Sequence, residues 1–115
     1  MRKYLLPPEG QFYKANLHCH STVSDGRWSP ERIKEEYMAR GYSVIAYTDH
    51  DVLIPHQDLT DENFVALNGY EMEIDQEPQA GRPSKCCHMC LIALDPENIP
   101  QVCWHRSKYL FGNAR

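Results

Sequence analysis

The chain has 115 residues, enough for one domain but short of a complete parallel barrel of roughly 250 residues. Apolar residues make up 42% and charged residues 24%, ordinary values for a soluble globular domain. The net charge of −4 argues against a bulk nucleic-acid binder held by a basic face, so charge does not indicate a nucleic-acid partner but leaves one possible. No apolar run approaches the ~20 residues of a membrane span, and the N-terminus lacks the apolar core of a signal peptide. These features predict a cytoplasmic chain with no membrane partner. Its five cysteines (Cys19, Cys86, Cys87, Cys90, Cys103) are then expected as reduced thiols.

Residues 1–13 read as a Pro-rich arm, followed by a single unit over 14–115. Residues 14–20 predict a first strand, and residues 21–28 a polar loop with an Asp25-Gly26 turn signal. Ser29-Pro30-Glu31 opens a helix: Ser caps, Pro suits the first helical position, and an acid suits the first turn. Ile33, Tyr37 and Met38 give the helix one apolar stripe, and Gly41 is its expected C-terminal cap. Residues 43–48 form a continuously apolar run, which suits a strand of a parallel sheet buried on both faces. Residues 14–48 are therefore one β-α-β unit. Residues 51–63 carry mixed signals for a loop or one short helix. Residues 64–67 and 70–74 look like strand, interrupted at Asn68-Gly69. Residues 75–85 are a loop, 87–94 a fourth strand, and 97–115 a tail with one short helix.

Between Arg40 and Arg82 there is no Lys or Arg, and nine carboxylates fall in that interval. Several of them sit at strand ends beside histidines, where a solvated acidic surface explains them poorly. Side chains at i and i+2 on a strand point the same way, so His18 and His20 can reach one point. Two imidazoles on an apolar strand are costly unless something such as a divalent metal satisfies them. Asp25 follows in the next loop. Thr48-Asp49-His50-Asp51 lies at the end of the second strand, where α/β folds build active sites, although a capping Asp in a polar loop has the same look. Gly69-Tyr70-Glu71-Met72-Glu73 places Glu71 and Glu73 on one strand face, and the pattern does not separate them.

Cys86-Cys87-His88-Met89-Cys90 admits two readings. His88 can point into the same site from the fourth strand. Alternatively Cys87, Cys90, Cys103 and His105 can form a structural Cys₃His zinc site. A run that reads straight through as strand favours the first, because Cys87 and Cys90 then face opposite sides. The cysteines are then expected as small buried hydrophobes.

Asn16-Leu17-His18-Cys19-His20-Ser21, Ser24-Asp25-Gly26, Thr48-Asp49-His50-Asp51, Gly69-Tyr70-Glu71, and His88 ahead of Leu91-Ile92-Ala93-Leu94 together resemble the PHP (polymerase and histidinol phosphatase) superfamily over about residues 14–95. The resemblance implies an α/β fold, the N-terminal half of a distorted (β/α)7 TIM-like barrel with about four strands present. It implies up to three divalent cations (Zn, Mn or Fe) at the strand ends. His18 and His20 would bind one, Asp25 and His50 another, with Glu71 bridging two and His88 joining the bridged pair. His18, His20 and Glu71 would be central to catalysis. The family's later ligands, a further His and an Asp-x-His, have no match after His88, so the PHP domain is expected to be partial.

The expected activity is metal-dependent hydrolysis of a phosphate ester by a metal-activated water. The substrate would be a phosphorylated small molecule or a nucleotide, with Arg27 near enough in its loop to contact phosphate. The alternatives are a non-catalytic or degenerate metal-binding fragment that self-associates through its open barrel edge, and a zinc-binding interaction domain.

Overall fold

A computed structural model describes residues 9–75, 81 and 86–95. The fold is α/β, with a four-stranded sheet in the order β1-β2-β3-β4. The strands are β1 (Ala15–Cys19), β2 (Val44–Tyr47), β3 (Val65–Asp75) and β4 (Cys86–Ile92), and one helix, α1 (Pro30–Met38), joins β1 to β2. Among the described residues no helix is long and apolar enough to cross a membrane.

Helix α1 begins as its sequence dictates. The Ser29 hydroxyl accepts from the Arg32 N–H at 3.3 Å, and Pro30 takes the first helical position. It ends in a Schellman arrangement: Tyr42 N–H reaches Tyr37 O at 3.1 Å and Gly41 N–H reaches Met38 O at 2.9 Å. Gly41 supplies the φ of 77° that this turn requires. The helix buries Ile33 against Ile45, Tyr47, Leu59, Phe64 and Ala66. Burial of one such side chain contributes about 1.5–3 kcal/mol. A second, smaller cluster pairs Leu53 with Tyr70, with Met72 and Leu91 packed against them.

Strands β1 and β2 pair in parallel, as do β2 and β3. The expected interruption at Asn68-Gly69 does not occur, and β3 runs on for 11 residues. What changes there is its partner. Residues 65–68 pair with β2, and residues 69–75 pair antiparallel with β4. Gly69 is required at the switch, because a Cβ there would lie 2.6 Å from the Leu91 carbonyl oxygen. The sheet is thus mixed, with β4 returning beside β3 rather than continuing a series of parallel units. Residues 51–63 contain one 3₁₀ turn, Gln57–Leu59. The arm's first eight residues, most of the 75–85 loop, the tail, Cys103 and His105 lie outside the described residues.

Candidate metal centre

Strand β1 delivers the first two histidines. His18 lies on β1 and His20 just past its end, with ring centroids 4.8 Å apart. Thr48, from the end of β2, ties this end of the strand down. Its hydroxyl accepts from the Cys19 N–H at 3.1 Å and lies 2.8 Å from His18 Nδ1.

The following loop is held by a buried acid. The Asp49 carboxylate accepts from Ser21 N–H (2.7 Å), Ser21 Oγ (2.9 Å) and Ser24 Oγ (2.7 Å). Gly26 permits the tight fold, since a Cβ there would stand 2.2 Å from the His20 carbonyl oxygen. The resulting turn brings Asp25 Oδ1 to 2.7 Å from His20 Nδ1. A carboxylate only accepts, so in the neutral ring Nδ1 carries the proton and Nε2 keeps its lone pair. The hydrogen bond from His20 holds the Asp25 carboxyl below the usual carboxylate range.

Glu71 stands at the centre. Beyond β2 the chain continues alongside β3, with Glu71 N–H donating to Asp49 O at 3.0 Å and Asp51 N–H donating to Glu71 O at 2.8 Å. That register sets His50 beside Glu71. The Glu71 side chain is buried and meets four imidazoles. Oε2 lies 2.9 Å from His20 Nε2 and 3.4 Å from His50 Nδ1; Oε1 lies 2.8 Å from His88 Nδ1 and 3.8 Å from His18 Nε2. Burial pushes the Glu71 carboxyl up, but the hydrogen bond from His88 and the potential of His18, His50 and His88 outweigh it and leave it lowered.

Strand β4 closes the group. Antiparallel register sets His88 opposite Glu73 and Cys90 opposite Glu71. His88 Nε2 is 3.7 Å from Glu73 Oε2, and Cys90 Sγ is 3.3 Å from His18 Nδ1. His50 Nε2 is 3.6 Å from Asp25 Oδ2.

These residues fit divalent metal ions. Three overlapping sets bring one donor atom from each member within 4.8 Å of the others: His18, Glu71 and Cys90; His20, His50 and Glu71; His50, Glu73 and His88. The buried His20 Nε2 and His50 Nδ1 make no hydrogen bond, although both lie within 3.4 Å of the Glu71 carboxylate. The two nitrogens and the carboxylate oxygen are therefore drawn close together without hydrogen-bonding one another. Two donors each about 2.1 Å from one ion sit roughly 3.0–3.4 Å apart at octahedral to tetrahedral angles. The two separations from Glu71 Oε2, 2.9 and 3.4 Å, are close to that range.

All six residues expected from the sequence, His18, His20, Asp25, His50, Glu71 and His88, come together here. Glu71 lies among the histidines, and Glu73 lies on the His88 side. Sequence reasoning missed three neighbours. Thr48 and Asp49 were inside a chosen motif but had no role, and Cys90 was visible by period-2 arithmetic from His88. The cysteines correct another expectation: Cys86, Cys87 and Cys90 are exposed on β4, an edge of the sheet among the described residues, and Cys19 on β1 is half-buried. Strand β4 also runs straight through Cys87 and Cys90, without the turn of a zinc knuckle. Arg27 is exposed and, with Trp28, Cys19, His20, Ile33 and Tyr37, lines a groove of about 260 Å³.

No protein family model matches the chain, and no solved structure matches it. Over 40 residues, 35% of its length, the chain is 48% identical to a Haemophilus influenzae protein named 5′-3′ exoribonuclease. The matched segment is 15% of that relative's own length, so the likeness concerns a small part of the larger protein.

Proposed function

We propose that the chain carries the metal-binding part of a PHP-type phosphoesterase, hydrolysing phosphate ester bonds in a nucleotide or at an RNA end. The observation that carries this reading is Glu71, a buried carboxylate among four imidazoles, two of which, His20 and His50, turn an unpaired buried nitrogen toward it. The order of the motifs and the short likeness to an exoribonuclease support the same chemistry. We read the sheet as the first portion of a distorted seven-stranded β/α barrel, with the site at its mouth. The histidines from β1 and β2 lie at or beyond the C-terminal ends of those strands, as that reading requires.

Divalent cations, when bound, supply an activated water and offset charge on the phosphoryl oxygens. The chain's own residues prepare the place. Asp25 holds the Nδ1 proton of His20, so that ring presents Nε2 inward, and Thr48 Oγ1 at 2.8 Å from Nδ1 positions the His18 ring. Glu71 supplies fixed negative charge in a buried position. Asp49 fixes the loop that carries Asp25. Zinc, manganese and iron suit this mixture of imidazole and carboxylate better than calcium.

The test is metal content together with hydrolysis, with added Mn²⁺, of a 5′-phosphorylated oligoribonucleotide and a generic phosphate monoester. We expect bound metal and hydrolysis that falls to background in His20→Ala. A chain that binds no metal, or activity that survives His20→Ala, overturns the proposal.

A further inference from the structure

We propose that Cys90 is a metal ligand, its thiolate joining His18 and Glu71 in a zinc-selective position of the cluster. This rests on the metal-dependent reading above and adds a ligand of a different chemical kind.

Register is the first ground. Cys90 pairs directly with Glu71 across the antiparallel ladder, where opposed Cβ atoms are about 4.5–5.5 Å apart. Geometry is the second. Sγ stands 3.3 Å from His18 Nδ1, and one donor from each of His18, Glu71 and Cys90 falls within a 4.8 Å span. The His18 ring thus stands between the thiol and the carboxylate, with Nδ1 near Cys90 Sγ and Thr48 Oγ1 and Nε2 3.8 Å from Glu71 Oε1. Glu71 is only 5% exposed, so its charge has imidazoles and a thiol around it in place of bulk water. A thiolate is a soft donor and favours zinc over manganese and magnesium. Binding releases the thiol proton to solvent. Cys87, three residues earlier on the same strand, faces the other side and serves as the internal control.

The test is cobalt(II) titration of the full chain, followed by the near-ultraviolet sulfur-to-cobalt charge-transfer band and by the visible ligand-field bands. We expect both in the unaltered chain and in Cys87→Ser, and loss of the charge-transfer band in Cys90→Ser. The zinc-to-manganese affinity ratio should drop in Cys90→Ser by at least the roughly tenfold typical of a weakened ligand shell. Ligand-field bands without charge transfer in the unaltered chain, or charge transfer that persists in Cys90→Ser, overturn thiolate ligation and leave the metal centre standing. A chain that takes up no cobalt overturns both.

Discussion

Glu71 Oε2 and His20 Nε2 stand 2.9 Å apart, and the histidine nitrogen is buried without a hydrogen bond. A neutral imidazole whose other nitrogen donates to Asp25 has only a lone pair to offer Glu71. Two facing lone pairs repel unless a cation lies between them or a proton is shared. Glu71→Gln keeps the shape and removes the charge. We expect metal affinity to fall by roughly 100-fold or more, measured by metal titration. Glu73→Gln, altered on the His88 side, should lose much less. Equal losses would contradict the central place of Glu71.

Asp49 and Asp25 should separate stability from binding. Asp49 is buried and satisfies three donors of the 21–24 segment. Asp49→Ala strands those donors and should cost about 1–3 kcal/mol or more, a drop of many degrees in Tm. Asp25 is exposed, so Asp25→Asn should barely move Tm, yet it should weaken metal binding about tenfold by loosening His20. Thermal melts and metal titration of both variants check this.

Gly69→Ala should damage the sheet where β3 changes partner. The added Cβ meets backbone, not a flexible side chain, at 2.6 Å. Overpacking of this kind costs typically 1–3 kcal/mol, and here it pushes β4 outward with His88. Chemical denaturation should show the lost stability. Metal titration should show weaker binding in the variant even under conditions where it remains folded.

His56 sets a pH dependence away from the metal residues. Burial lowers its pKa, against the opposing charges of Asp49, Asp58 and Glu31. The unfolded chain therefore takes up a proton near pH 6.5 that the folded chain resists. Stability is fully present above that pH and declines as pH falls below it, because the unfolded state binds more protons. Melts at pH 7.5 and pH 5.5 should show a smaller acid loss in His56→Gln than in the unaltered chain.

Much of the site was legible because strand alternation and strand ends govern it. His18 and His20 follow strand alternation, and the apolar run of β2 announces the strand end that carries His50. The helix boundaries were legible from Ser29, Pro30 and Gly41, where backbone chemistry is local. The continuity of β3 through Asn68-Gly69 was not. A glycine within a strand marks a break or a close approach equally well, and only the position of the Leu91 carbonyl decides between them. Antiparallel β4 was hidden for the same reason: strand direction depends on a partner that local sequence does not name. Exposure of Cys86, Cys87 and Cys90 likewise follows from edge position rather than from residue type.

The partner change at Gly69 divides the site by origin. His18, His20, Asp25 and His50 arrive through the parallel β-α-β framework, which is anchored by the Ile33 core. His88 and Cys90 arrive on a returning edge strand that this core does not hold. Glu71 is the hinge common to both, because it lies on β3 just past the switch. One wall can therefore be rewritten, in metal preference or in substrate reach, while the other keeps its shape. Variation in this kind of protein should accumulate on β4 and its connection to β3 long before it touches the residues beneath α1.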